Sequence, residues 1–421
     1  MWTASEIAYT TSVGAALTYL VYALPTLHTF GMGAIRSVGL FWWRVLGGIL
    51  YGWVHIKSYA GGDTYSYFLY SKAFTDALHN GHWYCFFRLL LLPNGGYLAY
   101  PCYEYAYNSS YWDHSPAFFI LRIHALLRLV SGGYFLVHTL LWGLGMFIAT
   151  NLLYRVLCER HTAYKYLWLS FLFIFPSLWF WTGGIHKEGL IFGALSVLLY
   201  ALHQLDTNRR HSKLRYGVYI GISLLVLGIV RSYVLLLLIP ALLCYGLVVV
   251  RQPNVSAVKY FLSLYGVGIL LVLIANWCIP DIQLFERLAG QRAAFMWESG
   301  SSEFTNELWA PTLSGFVGYL PAALSTVLAR PFIWESHHVL AICSAVENGI
   351  LLLILGYMLL HIRRPYKVSA FACLLLFFAI SYLVLIGTLV PNVGTMLRYR
   401  IIGILFLLLG VACIYAKPTD Q

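Results

Sequence analysis

The chain has 421 residues, 60% hydrophobic and only 10% charged, with a formal net charge of +11. A soluble domain carries roughly 25% charged residues, so the composition excludes a water-facing globule, and the high apolar content excludes disorder. The positive charge is no nucleic-acid footprint: the basic residues fall in short clusters between apolar runs, the pattern of loops held on the inner side of a membrane.

In chain order, eleven apolar runs predict crossings: 10–30, 38–57, 134–157, 163–183, 187–205, 216–230, 233–250, 258–279, 339–361, 368–390 and 398–416. A membrane helix needs roughly 20 such residues. The runs are continuous, not alternating, which argues against a membrane barrel. The expected fold class is therefore an all-α polytopic integral membrane protein of about 11 transmembrane helices. The first run is too long for a cleavable signal and lacks a small-x-small exit. The basic loops 155–165, 206–215, 251–259 and 362–367 all fall on one face, the cytoplasmic one. That puts the N-terminus outside, the C-terminus inside, and the regions 58–133 and 280–338 outside.

Two apolar stretches are not counted as crossings. The segment 116–131 carries Arg122, His124 and Arg128 and is expected to lie in the interface. The segment 314–330 is short, contains Pro321, and is expected to be re-entrant or interfacial. With no internal repeat and no boundary, 1–421 reads as a single transmembrane domain. Of eight cysteines, Cys85 and Cys102 share the first outer region and can pair in an oxidising compartment. The other six lie in or beside apolar segments, as small buried thiols do. The sequon at Asn108 matters only where a glycosylation machinery exists.

The unusual polar residues gather on the predicted outer side: Asp63 after Gly61-Gly62, the tract His186-Lys187-Glu188, Arg231, Arg330 with Glu335, Glu347-Asn348, and Arg398 with Arg400. The 15-residue run 216–230 spans about 22 Å at 1.5 Å per residue, less than the roughly 30 Å hydrocarbon core. Arg231 is thus expected to be recessed, near Lys187, where both can hold a lipid phosphate; Arg offers a planar fork and Lys a point charge. A hairpin cap at Lys187-Glu188 and a snorkelling Arg231 are the plain alternative. Asp63 suits a general base or a divalent-metal ligand. Equally, Gly-Asp-Thr is a good helix-capping context. Asp113-His114 is expected to open the 116–131 helix. Glu335 beside Arg330 reads as a salt bridge or a substrate-hydroxyl contact. No phosphate-loop or paired-histidine zinc motif is present.

These residues carry a resemblance. The acidic Asp63 in GGDTYSY, interfacial helices in the same loop and basic residues at later outer turns resemble the polytopic glycosyltransferases of the C-type (GT-C) superfamily. The tracts FPSLWFWTGGIHKE, ARPFIWE and PNVGTMLRYR are similar to signatures of uncharacterised bacterial envelope-polysaccharide membrane proteins. Here the acid follows the second crossing, not the first, and stands alone. The resemblance implies an inner-membrane enzyme that moves a sugar, with inversion, from a polyprenyl-phosphate donor to a glycan or lipid acceptor on the outer face. It implies catalytic roles among Asp63, Glu188 and Glu335. Donor contacts fall to His186, Lys187, Arg231, Arg330, Arg398 and Arg400. No cofactor is required, though a divalent cation is compatible, and nucleic acid is not a partner. An O-antigen-type polymerase or ligase and a non-enzymatic lipid-linked glycan flippase are the alternatives.

Overall fold

The computed structural model describes residues 3–58, 62–207, 213–251, 256–279, 281–297, 308–336, 339–362 and 368–416. Gly61 and the loop cations Arg209, Arg210, Arg363, Arg364 and Lys367 lie outside these residues. The chain divides into two compact units, Met1–Leu235 and Leu236–Gln421. Every regular element among the described residues is helical.

The first unit begins with α1 (Ala4–Ala23) and α2 (Ala34–Ser58). Five shorter helices follow: α3 (Gly62–Tyr70), α4 (Lys72–His79), α5 (Trp83–Leu91), α6 (Cys102–Asn108) and α7 (Ser115–Ser131). They pack into a small helical subdomain with its own core, including Phe74, Phe86, Leu89, Phe118 and Leu121. Cys85 and Cys102 are disulfide-bonded there. His114 caps α7, its ring accepting from the Ala117 N–H at 3.3 Å. Asp113-His114 thus opens this helix, through the histidine.

Then come α8 (Phe135–Arg160), α9 (Lys165–Leu169), α10 (Pro176–Gly183), α11 (Lys187–Thr207) and α12 (Lys213–Val230). A π-turn over Ser170–Ile174 and Pro176 separate α9 from α10, and the segment bends by 46°. Both features remove regular helix hydrogen bonds, which is why the bend falls there. Small residues on α2 allow close packing of backbones, as in membrane bundles. A Cβ on Gly48 would stand 2.8 Å from the Gly183 carbonyl oxygen. Trp43 and Trp179 stack at 4.7 Å; Trp179 donates to the Trp43 carbonyl and Trp43 to the Phe173 carbonyl. At the far end of α8 and α11, Glu159 accepts from Arg155 at 2.6 Å and lies 2.8 Å from His203, while Arg160 meets Asp206 at 3.2 Å.

After α13 (Ser232–Arg251), which straddles the boundary, the second unit holds α14 (Ala257–Cys278), α15 (Leu284–Trp297), α16 (Leu313–Ala329), α17 (Val339–Leu360), α18 (Ala370–Leu389) and α19 (Val393–Tyr415). Helices α18 and α19 form its packed centre, with Gly403 against Leu383 and Gly410 against Leu376.

Eight described helices are long and apolar enough to cross a membrane: α8, α11, α12, α13, α14, α17, α18 and α19; the bent α9–α10 segment makes up to nine. The chain therefore has the make-up of a multi-pass integral membrane protein. Helices α1 and α2 have span length, 20 and 25 residues, but interleave polar residues such as Glu6, Thr10, Arg36 and Arg44.

The disulfide closes a short loop, for which the chain-entropy estimate is about 3 kcal/mol. Cys85→Ser is expected to lower stability by about that amount, read as a drop in melting temperature in detergent. Reducing agent should have the same effect on the parent and none on the variant.

Candidate functional site

The turn between α10 and α11 is fixed from below and from the side. Gly183 sits on α2, and the Tyr51 ring covers Gly184, where a Cβ would strike it. The turn ends on His186, and α11 starts at Lys187, placing Glu188 in its first turn. A carboxylate there is favoured by the exposed amides and the helix dipole.

Glu188 is 1% exposed, His186 2% and Arg231 7%. Arg231 fills the single-residue break between α12 and α13. Its Nη2 donates to Glu188 Oε1 and its Nη1 to the Tyr233 hydroxyl at 2.9 Å. His186 Nδ1 rests against Glu188 Oε2. The α12 helix begins at Lys213, so its 18 residues span about 27 Å at 1.5 Å per residue. Helix length alone therefore recesses Arg231 by only about 3 Å against a roughly 30 Å core; pairing with Glu188 accounts for its burial. The arginine expected on a phosphate thus gives its fork to the neighbour of Lys187, which is itself half-buried.

From His186 a run of rings leads to the surface. Its ring lies 4.9 Å from Tyr51, which stacks on His55 at 3.9 Å. The half-buried His55 packs beside Gly62, where a Cβ would lie 3.1 Å from its ring. Next is Asp63, exposed to solvent. Asp63 stands inside the first turn of α3 rather than before it. Its charge reaches the half-buried Tyr111: burial, then Asp63, raises that phenol above its ordinary pKa. Elsewhere in the α3–α7 subdomain Trp83, Tyr97, Tyr100, Tyr103 and Tyr107 are exposed.

A second buried pair lies behind the turn. His124 of α7 and His138 of α8 are fully buried, with their Nδ1 atoms 3.1 Å apart. Burial pushes the His124 imidazole down to about 3, and the nearby Arg128 adds to this against the favourable Ile185 carbonyl. Deeper still, Arg44 donates to the hydroxyls of Thr150 (2.6 Å) and Thr182 (3.2 Å).

In the second unit, Arg330 grips Glu335 at 2.6 Å, and Glu335 accepts from the Phe332 N–H. Hydrogen bonding to Arg330 holds the Glu335 carboxyl below its ordinary pKa. Arg400 donates to the Val327 and Arg330 carbonyls and to Asn348 Oδ1. Arg398 lies beside Tyr399. Helix α19 starts five residues before the expected run, capped by Asn392, so both arginines are helical.

His186, Lys187, Glu188 and Arg231 are thus brought together in one unit, with Asp63 at the surface end of the same string. Arg330, Glu335 and Arg400 form a separate cluster in the other unit. Among the described residues, no three His, Cys, Asp or Glu side chains converge to hold a metal ion. Sequence reasoning missed Tyr51, His55, Tyr233 and His138. The available signal was a histidine within or beside an apolar run: at the end of 38–57, and at the start of 134–157. Compared with family models, curated proteins and solved structures, the chain matches none.

Breaking a buried ion pair from one side strands the other charge, at about 3–5 kcal/mol. Arg231→Ala should lower the melting temperature accordingly, while the double variant with Glu188→Ala should recover part of the loss.

Proposed function

We propose that the chain is a membrane glycosyltransferase that moves a sugar from a polyprenyl-phosphate donor to a hydroxyl acceptor at the outer face of a bacterial inner membrane. The observation that carries this reading is the string, in one unit, from exposed Asp63 past His55 and Tyr51 to the dry His186–Glu188–Arg231 cluster, with exposed aromatic rings on the same α3–α7 subdomain as Asp63. Aromatic faces stack on sugar rings. A dry cluster of ionisable groups suits a reaction that must exclude water, because charge interactions strengthen in a low-dielectric site.

In this reading the eight apolar helices, the bent α9–α10 segment, α1 and α2 make eleven crossings of one transmembrane domain. Helix α7 lies in the interface and α16 is re-entrant or interfacial. The Cys85–Cys102 disulfide supports an oxidising outer compartment for the α3–α7 subdomain. The charge cluster around Glu159 marks the cytoplasmic end. An apolar groove of 690 Å³ between α1, α2 and α8, lined by Gly14, Tyr19, Trp42 and Leu140, offers room for part of a polyprenyl tail. Lys187 is the cation assigned to the donor phosphate. Arg330 and Arg400 hold the Arg330–Glu335 turn. Asp63 binds and orients the acceptor hydroxyls at the surface.

Orientation is checked by labelling intact cells with an impermeant thiol reagent. A cysteine replacing Tyr97 should react and one replacing Thr162 should be protected; the reverse pattern inverts the scheme.

Activity is checked with purified protein, without a gradient, by following sugar transfer from polyprenyl-phosphate donors. Product formation is expected, whereas a flippase would form none. Asp63→Asn should raise the acceptor KM by roughly tenfold, the worth of one good hydrogen bond to a charged group, and leave kcat less affected. An unchanged KM would remove Asp63 from acceptor binding.

A further inference from the structure

We propose that Asp63, Tyr70 and Tyr111 together bind one sugar ring of the acceptor glycan. Asp63 and the Tyr111 hydroxyl hold the sugar's hydroxyls, and the Tyr70 ring covers its apolar face. The inference rests on the glycosyl-transfer reading and gives the exposed Asp63 two partners for the task.

Helix α3 sets the first two residues. Asp63, Tyr67 and Tyr70 recur at i, i+4 and i+7, so at 3.6 residues per turn they share one face within about 60°. Tyr67 is 3% exposed and belongs to the subdomain core. Asp63 and Tyr70, at the two ends of this stripe, are exposed.

Tyr111 comes from the loop between α6 and α7 and packs against the same core. Its ring lies 5.3 Å from Tyr67, tilted by 60°, and 5.7 Å from Tyr70, edge to face at 80°. The loop itself is pinned. The Asn94 side chain donates to the Trp112 carbonyl at 2.7 Å, and the Trp112 indole donates to the Gly96 carbonyl at 3.0 Å. Tyr111 is therefore held in place before any ligand arrives, which lowers the cost of binding.

Both Asp63 and Tyr70 act electrostatically on the Tyr111 phenol, which makes the three side chains neighbours. Burial first, then Asp63 and Tyr70, raise that phenol above its ordinary pKa, so at neutral pH it keeps its proton and can donate. Among the described residues neither the Tyr111 nor the Tyr70 hydroxyl has a hydrogen-bond partner. Tyr111 is half-buried, yet its hydroxyl is not sealed from solvent.

This set of groups suits a sugar. A carboxylate only accepts and has about four lone-pair positions, so Asp63 can take two adjacent sugar hydroxyls alongside a protein partner. A phenol donates and accepts, so Tyr111 can meet a sugar oxygen that Asp63 cannot. The C–H face of a pyranose is apolar, and covering the exposed Tyr70 ring with it removes apolar surface from water.

The test uses the full chain in detergent without donor. Binding is read by saturation-transfer difference NMR with methyl glycosides of a hexose, a 6-deoxyhexose, a pentose and an N-acetylhexosamine, and with short oligosaccharides of each. The parent is expected to bind at least one. Tyr111→Phe, which loses only the hydroxyl, should weaken that binding by roughly threefold to tenfold, the worth of a neutral hydrogen bond. Asp63→Asn should weaken it by roughly tenfold or more, as for a bond to a charged group. Tyr70→Ala should weaken it, while Tyr70→Phe, which keeps the ring, should bind as the parent does. Leu69→Ala, turned about 120° from Asp63 around α3, should have no effect. A parent that binds no member of the panel overturns the proposal. So does a folded Tyr111→Phe or Tyr70→Ala that binds as tightly as the parent. Tyr111→Phe keeps the ring and its packing, so it decides even where Tyr70→Ala does not fold. Transfer from polyprenyl-phosphate donors is followed in parallel. A parent that binds glycosides but transfers no sugar sinks the glycosyl-transfer reading and leaves the sugar site standing. A parent that transfers, with the acceptor KM unchanged in Tyr111→Phe and Tyr70→Ala, sinks this inference alone.

Discussion

The ion pair between Arg231 and Glu188 is the constraint on which the first unit's polar interior depends. Each partner loses several kcal/mol of hydration when buried. Their mutual attraction offsets this only because the groups are held in place. Arg231 stands at the one-residue break between α12 and α13, and Glu188 stands in the first turn of α11. The pair therefore fixes where the α11 turn meets the α12 end. His186 comes along because it lies two residues before Glu188 on a turn that Gly183 and Gly184 hold against α2. Apolar residues of similar volume would fill the same space at no lower stability. What they would lack is the directional bond that sets the α11 turn against one point of the α12 end.

Arg44 follows a different rule. Its guanidinium is 1% exposed and its hydrogen bonds go to Thr150 and Thr182. Threonine hydroxyls accept while themselves donating to backbone carbonyls one turn back, as both do here. The charge is thus spread into helix carbonyls rather than met by an acid. Thr182 lies two residues before Gly184, so the bond from Arg44 ties α2 to the same turn that carries His186. The tryptophan pair Trp43–Trp179 adds a second tie, one residue earlier on α2 and three earlier on α10. The turn is thus held against α2 at two points, with the Tyr51 ring packed over Gly184 between them and the turn's end.

The long apolar runs were legible because a single physical requirement, span length without charge, sets them. The runs 134–157 and 187–205 reappear as helices within a few residues. Element ends were less legible. Helix α19 begins at Val393 because Asn392 caps it, although the hydropathy of the run rises only near Arg398. The bend at Pro176 was hidden by hydropathy, which averages over the π-turn. Among site residues, the sequence located the turn at 183–188 and the recess at Arg231, since glycines and a charge interrupt apolar runs there. It paired Arg231 with a phosphate because opposite charge inside the protein cannot be read from spacing: Glu188 and Arg231 are 43 residues apart. Tyr51 and His55 were passed over because each sits in a run that reads as ordinary apolar helix.

The exposed acid and the buried cluster meet opposite demands. Asp63 faces solvent, where water screens its charge and the carboxylate costs little to hold. Glu188 is 1% exposed, and the cost of burying it is offset by the guanidinium of Arg231 against its Oε1. The buried carboxylate is therefore committed to joining the α11 turn to the α12 end, whereas the exposed one stands where a polar group from solution can reach it. The two demands fall on different residues because one side chain cannot be both wet and dry.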